Sequence, residues 1–514
     1  MTSTPKRIYY LIPSLVLIFA IIIEWLLILS INHSHFSYSL DDPYIHLSLA
    51  KHIGIGQYGF NNGEFSSPSS SILWPFLLAP FSYFPLFEFV PLIINSLIAL
   101  LILLVFITVC LFVDTEKTKV YWENVVLFCL LIPALNLIGL IFSGMEHALQ
   151  MLLSVLIMAG LIQETNDHRF PLWLALVIII GPLIRYETLA ISVPALFFLF
   201  IRGHQQKVLY TTLIMLVMLG LFSLFLLHIG QPPLAASVLL KMDHGQYATW
   251  AEAILGQLRI NLTQRQSLIF LILIFSFSII AIFSKLPVVT RQLFAVVAAG
   301  LLLHLLLGKF NWFHRYEVYL YAVALLLIFY LYFKHYHTFK NPTVWYVFFV
   351  LGLIFCSYPY FTVLASLPKA TNNVYQQQFQ MRRFAIDWLK SPIAVNDIGW
   401  VSYDNSNYVL DLWGLGNYSI YSSRCHATNP LWMDKAVKES QVKLVMLYRS
   451  WFYSVPKNWI QLGCLYFTGP RVSVANKVVY FYATDLKYVP ELQQKLHSFS
   501  KSLPQNDGFK FDCK

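Results

Sequence analysis

The chain has 514 residues, of which 58% are hydrophobic and 12% charged, with a net charge of +10. A soluble domain carries about 25% charged residues, so roughly half of the surface that keeps a globule in water is missing and a wholly soluble protein is excluded. Much of the basic excess lies in short segments between apolar runs, where it acts as an orientation signal and not as a nucleic-acid surface.

A helix that crosses the ~30 Å hydrocarbon core needs about 20 mostly apolar residues. In chain order, the runs 8–31, 89–113, 120–142, 208–228, 267–283 and 343–364 are read as spans, and the shorter runs 170–184, 188–201 and 293–307 cross beside neighbouring helices. Lys6 and Arg7 precede the first run, which is too long for a cleaved signal and lacks a small-residue cleavage site, so it reads as a signal anchor. With the N-terminus in the cytoplasm, the inner segments hold eleven Lys and Arg in 43 residues and the outer segments before the tail hold seven in 111. That contrast favours a cytoplasmic N-terminus, about eleven spans and an outer C-terminal domain. Residues 170–201 decide the parity: two helices keep this topology, and one broken helix inverts everything that follows.

The architecture expected is therefore a mainly α polytopic membrane domain over 1–365 and a small extracytoplasmic α/β domain over 366–514. The first outer loop, 32–87, is long. It opens with Ser39-Leu40-Asp41-Asp42-Pro43, is broken by Gly54, Gly56, Gly59 and Gly63, and continues through Ser66-Ser67-Pro68 to a run containing Pro75 and Pro80. Its two apolar pieces read as helices lying on the membrane surface. A second long outer loop covers 229–265. In the tail, Pro368 and Pro392 punctuate, and runs 393–403, 408–412, 443–448 and 478–483 read as strands. Cys110, Cys129 and Cys356 lie in apolar runs as buried thiols. Among Cys425, Cys464 and Cys513 in the tail, two could pair or all three could be free.

Charges are costly at membrane depth and are functional candidates there. In the expected topology the outer rim gathers Asp41, Asp42, Glu146, His147, Arg185, Glu187, Lys241, His314, Arg315 and Glu317. Pro43 suits a first helical position and Asp42 the cap before it, which leaves Asp41 as a general base facing a cavity; two solvated loop carboxylates are the plainer alternative. Glu146 and His147 open a helix, where a carboxylate is favoured by the dipole in any case. Arg185-Tyr186-Glu187 and Arg315-Tyr316-Glu317 repeat one pattern at an outer edge, as internal ion pairs, as partners for other helices or as interfacial anchors. Lys241 could meet a phosphate as a point charge. The sequence holds no phosphate-binding Gly-rich loop ending in Lys-Ser/Thr, no Gly-x-Ser-x-Gly elbow and no His-Glu-x-x-His zinc helix. Asp41, Asp42 and Glu146 could ligate a divalent metal, though no spacing demands one.

Asp41-Asp42-Pro43-Tyr44-Ile45-His46, followed by Tyr58-Gly59 and by Ser66-Ser67-Pro68 to Trp74-Pro75, resembles the first outer loop of the GT-C glycosyltransferase superfamily. That superfamily includes protein O-mannosyltransferases, aminoarabinose transferases and arabinofuranosyltransferases. Phe142-Ser143-Gly144-Met145-Glu146 resembles a second element of bacterial members, and Asp397-Ile398-Gly399-Trp400 and Asp411-Leu412-Trp413-Gly414-Leu415 resemble their tail domains. The resemblance implies transfer of a sugar, with inversion, from a polyprenyl-phosphate donor to a glycan, lipid or protein acceptor at the outer face of the cytoplasmic membrane. It casts Asp41 or Asp42 as base; preorganised cations suit the departing phosphate, and the candidates are Arg185, Lys241 and Arg315, with His147 or His314 assisting. Membrane lipids are partners in this reading and nucleic acid is not. A secondary transporter or glycolipid flippase is the alternative, and would carry repeats and midplane charges.

Overall fold

A computed structural model describes residues 6–113, 121–241, 249–335, 340–426, 429–504 and 507–513. Among them, nine helices are long and apolar enough to cross a membrane, from Arg7–Ile31 to Pro342–Leu389, and two shorter apolar helices cover Leu172–Ile184 and Tyr186–Ile201. In lipid the backbone polar groups must be satisfied within the segment, so long apolar runs of this kind become helices. The last of the nine continues through Pro368, where the sequence reading placed a break. A proline removes one intrahelical bond, and this helix runs on to Val374 and into a π-turn over Tyr375–Phe379.

The chain divides into two compact units. The first takes Met1–Trp25, Leu92–Gly220 and Ile254–Ala365; the second takes Leu26–Pro91, Leu221–Ala253 and Ser366–Lys514. The second unit thus includes the whole first long loop and part of the second as well as the tail.

In the first unit, helix His147–Asp167 packs against Val318–His335, Leu172–Ile184 and Leu189–Ile201. Its 21 residues rise about 31 Å. Polar clusters mark both ends. At the start, Arg185 Nη1 lies 2.5 Å from Glu146 Oε1. At the far end, Arg202 Nε lies 3.1 Å from Glu164 Oε2 and His204 Nε2 lies 3.1 Å from Glu164 Oε1. Leu172–Ile184 therefore runs from the Glu164 end to the Glu146 end, and Leu189–Ile201 returns. Residues 170–201 form a helical hairpin, not one interrupted helix.

The second unit is built on a six-stranded sheet. Its strands are β1 (Ile393–Val395), β2 (Val409–Asp411), β3 (Leu444–Leu447), β4 (Ile460–Phe467), β5 (Val478–Ala483) and β6 (Asp507–Lys510), in the order β2-β1-β3-β5-β4-β6. β2, β1 and β3 are parallel, with Ala394 opposite Leu410 and Val445; the other pairings are antiparallel. Successive strand residues face opposite layers. Ile393, Val395, Leu444 and Met446 pack with Phe384, Leu492, Leu496 and Phe499 on one face, and Ala394, Val445 and Leu447 pack with Met433 and Val437 on the other. The strand expected over 393–403 ends at Val395, and Gly399–Ser402 is a helical turn. β4 was not anticipated: Gly463 (φ +150°) interrupts its apolar pattern at a register shift. Cys464 and Cys513 form a disulfide, and Cys425 is free.

The first loop is part of this unit. Asn61 behaves as one more rung at the β2 edge: its Nδ2 donates to Val409 O at 2.9 Å and its Oδ1 accepts from Val409 N at 3.0 Å. Helix Asp42–Gly54 buries eight successive residues, Pro43 to Ala50, against Trp74–Leu78 and Gly399–Ser402 among others. It is enclosed by protein, whereas a surface-lying helix would bury one face only.

Candidate functional site

The polar candidates fall into two groups, each inside one unit. In the first unit, Arg185 sits in extended backbone (φ −153°, ψ +132°) at the tip of the hairpin. That conformation ends one helix before the next begins and turns the guanidinium back on the bundle. Nη1 meets Glu146 at 2.5 Å and Nη2 meets Glu187 at 2.6 Å. Arg185 is 1% exposed and Glu146 is fully buried, so this is an ion pair taken out of water. Tyr316 lies alongside, its ring centre 5.5 Å from the Arg185 guanidinium and 4.9 Å from that of Arg315. Arg315 Nη2 donates to Tyr316 Oη at 3.1 Å, and the His147 ring meets Tyr316 edge-on at 5.5 Å.

The segment before Arg315 is strained. Asn311, Trp312, Phe313 and His314 are four successive non-glycine residues with φ between +48° and +70°. Left-handed helical backbone costs an L-residue about 1–2 kcal/mol, so neighbouring bonds must hold the turn. Glu317 Oε2 accepts from Asn311 N at 3.0 Å, Glu317 Oε1 lies 3.3 Å from His314 Nδ1, and Asn136 Nδ2 donates to the carbonyls of Phe313 and His314. Strain of this kind collects at functional sites. The two Arg-Tyr-Glu copies thus differ: Arg185 pairs with its own Glu187, whereas Glu317 braces the turn and Arg315 engages Tyr316.

The second group lies in the second unit. The sequence reading gave Asp42 the cap and freed Asp41, and the structure reverses this. Asp42 is the first residue of its helix and is half-buried. Asp41 precedes it, and its carboxylate caps a different helix: Oδ2 accepts from Gly399 N at 2.7 Å and Oδ1 from Trp400 N at 2.8 Å. Gly399 is required here, because a Cβ would collide with the backbone and carboxyl of Asp41. Tyr44 stacks on Trp400 with ring centres 3.6 Å apart.

Asp397, at the carboxyl end of β1, completes an acidic group. Its charge acts on Asp41, and Gln378 Nε2 donates to its Oδ2 at 2.9 Å. Gln378 Nε2 also lies 3.1 Å from Tyr448 Oη. Burial pushes Asp41 well above the usual carboxylate range; the charges of Asp397 and Asp42 add to that shift, and the two backbone N–H groups oppose it. Asp397 is pushed up to about 6, chiefly by burial. Asp411 is likewise raised to about 6 by burial, although Trp413, Gly414 and Gly416 each donate a backbone N–H to it.

Of the residues singled out in the sequence, Glu146, His147, Arg185, Glu187, His314, Arg315 and Glu317 belong to the first unit and Asp41 and Asp42 to the second. Lys241 ends helix Ala236–Lys241, and its side chain lies outside the described residues. Among the described residues, no three His, Cys, Asp or Glu side chains are grouped to hold a metal ion. Gln378 and Tyr448 had not been anticipated. The signal for Gln378 was the amide run Gln376-Gln377-Gln378, polar residues in a helix yet all buried.

A domain family of unknown function (DUF8728) matches residues 372–482. This stretch holds Gln378, Asp397, Asp411 and Tyr448. No curated protein matches the chain.

Proposed function

We propose that the protein transfers a sugar from a polyprenyl-phosphate donor to a hydroxyl acceptor at the outer face of the cytoplasmic membrane, with inversion at the sugar carbon. The observation that carries this reading is the convergence, at one end of a membrane-length helix, of seven polar residues from separate stretches of the first unit, two of them buried arginines. Such a site suits the charge that develops on a departing phosphate. A phosphate monoester has a second pKa near ~6 and leaves without an acid. Arg185 and Arg315 stabilise it. A carboxylate must take the proton of the attacking hydroxyl, and Asp42, the half-buried member of the loop pair, is the residue to test. Asp41 keeps Asp42 in place through its bonds to Gly399 and Trp400. The likeness of the Asp41-Asp42-Pro43 loop to the GT-C first loop supports a loop carboxylate as base and does not choose between Asp41 and Asp42. The Cys464–Cys513 disulfide supports an extracytoplasmic second unit, since such bonds persist in oxidising compartments. The hairpin at 172–201 supports the parity that gives about eleven spans.

The test uses membranes carrying the full chain and a set of polyprenyl-phosphate donors with labelled sugars. Label should move to an acceptor, and Asp42→Asn should lower the rate about 10²–10⁴-fold at unchanged protein level. Movement of intact donor between leaflets without sugar transfer would replace this reading with that of a flippase.

A further inference from the structure

The ion pairs described above do not account for every buried polar side chain of the first unit. Gln150, on helix His147–Asp167, is 1% exposed, and neither its Nε2 nor its Oε1 has a hydrogen-bond partner among the described residues. Enclosing an amide without partners is costly, and a helix of membrane length is a poor place to bear that cost. An apolar side chain of the same size would fill the space more cheaply.

The position of Gln150 ties it to the arginine site. It follows Glu146 by four residues, and its backbone N–H donates to the Glu146 carbonyl at 3.0 Å. The two side chains therefore share one face, about 6 Å apart along the axis. Glu146 holds Arg185 on that face. His147, three residues before Gln150, turns its ring to Tyr316, whose hydroxyl accepts from Arg315. Asn95, on helix Val90–Val113, reaches the same end from another stretch: its Nδ2 donates to Met145 O at 3.0 Å. Asn95 is fully buried, and its Oδ1 has no partner among the described residues. All of these residues lie in the first unit.

The unmet atoms specify the chemistry that would satisfy them. A phosphate dianion carries acceptors only, so it can answer an N–H of Gln150 but neither amide oxygen. Gln150 Oε1 and Asn95 Oδ1 each need an incoming O–H or N–H, and Gln150 Nε2 needs an acceptor. A hydroxyl offers both, and adjacent ring hydroxyls match the side-by-side N–H and C=O of one amide.

We propose that Gln150 reads the sugar of the lipid-linked substrate: its amide bonds ring hydroxyls one helical turn from the cations that hold the phosphate, and Asn95 Oδ1 accepts from a further hydroxyl. This rests on the sugar-transfer reading and adds the residue by which a glycosylated polyprenyl phosphate is told from the bare lipid phosphate. Without the sugar the buried amide is left unpaired again, which is how a polar site rejects an analogue that lacks the matching group. The bare phosphate is also what remains after transfer, so the same amide favours its release.

The test is equilibrium binding to the full chain in lipid nanodiscs. The probes are farnesyl phosphate and a set of farnesyl phosphates each bearing one pentose or hexose. The wild-type chain should bind at least one glycosylated probe about 10-fold more tightly than farnesyl phosphate, the scale of one hydrogen bond. Gln150→Met keeps the side-chain length and removes the amide. It should abolish that preference and leave the affinity for farnesyl phosphate nearly unchanged. Because it removes unmet polar atoms, it should also melt no lower than the wild type without ligand. A preference that survives Gln150→Met overturns the assignment. A marked loss of ligand-free stability overturns it too, since the amide would then have a structural partner. If farnesyl phosphate binds and no sugar improves it, the role of Gln150 falls while the phosphate site stands. If no probe binds at all, the sugar-transfer reading itself falls.

Discussion

Two polar groups, one in each unit, solve the problem of buried charge in opposite ways. At the ends of helix His147–Asp167 in the first unit, a deep acid meets a cation: Glu146 has Arg185, and Glu164 has Arg202 and His204. In the second, the acids Asp41, Asp397 and Asp411 are met by backbone N–H groups and an amide, while ion pairs such as Lys438–Asp434 lie at the surface. A cation neutralises a carboxylate at every ordinary pH. Dipoles and a neighbouring acid do so only in part, and leave a group that titrates near neutrality. The first arrangement suits a fixed electrostatic surface, and the second suits proton transfer.

The comparison breaks first at Arg185. Arg185→Leu leaves Glu146 buried without its cation, a change that costs about 3–5 kcal/mol. The full chain in detergent should lose most of its thermal stability, and Arg185→Lys should recover part of it, because a lysine cannot bridge Glu146 and Glu187 bidentately. A near-wild-type melting midpoint for Arg185→Leu would show that the pair is not the anchor of this end. Next in size is the second unit's covalent tie. Cys464 and Cys513 close 49 residues of chain, whereas Cys110, Cys129 and Cys356 in the first unit are all free. Cys464→Ser or Cys513→Ser should cost about 2–4 kcal/mol and should expose β6 to protease first, with helix His147–Asp167 unaffected.

These contrasts were legible in the sequence to different degrees. Long apolar runs identified the helices, because length and composition alone decide what lipid accepts. Residues 170–201 stayed ambiguous, because 13-residue helices rise only about 20 Å each. The deciding facts are pairings between residues about 40 apart, Arg185 with Glu146 and Arg202 with Glu164, which no local pattern encodes. The loop was read as membrane-lying because its apolar content is the same whether lipid or protein covers it. Asp41 and Asp42 were interchanged for a similar reason. Local capping rules assign a carboxylate to its own helix, and Asp41 instead caps one 358 residues downstream. The seven first-unit candidates do gather, because a charged residue at the end of an apolar helix has few places to go.

The acid group itself can be loosened with a single methyl. Gly399→Ala puts a Cβ against the Asp41 backbone and carboxyl, atoms that cannot swing aside. The cost should be about 1–3 kcal/mol, as for other overpacked sites. Amide exchange at Gly399–Ser402 should rise while the Glu146–Arg185 end stays protected. Equal loosening of both units would show that the acid group is not a local assembly.

The smallest effect is the most diagnostic. Asp397 is raised from the ordinary value of about 4 to about 6, so between those values the folded chain holds a proton that the unfolded chain has released. Stability must then fall as pH rises through this window, and remain lower above it. Asp411, Asp41 and Asp507, the last pushed up to about 8 by burial, work in the same direction. On lowering the pH from 7.5 to 5, Asp397 alone should add about 1 kcal/mol to the second unit, after allowance for partial solvent screening. Asp397→Asn should remove that share and keep those of the other three. The cation-paired end of the first unit is the comparison. Hydrogen exchange at β1 and at helix His147–Asp167, measured in one sample at both pH values, compares the two directly. Equal slopes would mean that the acids of the second unit are neutralised as completely as Glu146 is, and the division of labour between fixed charge and mobile proton would be lost.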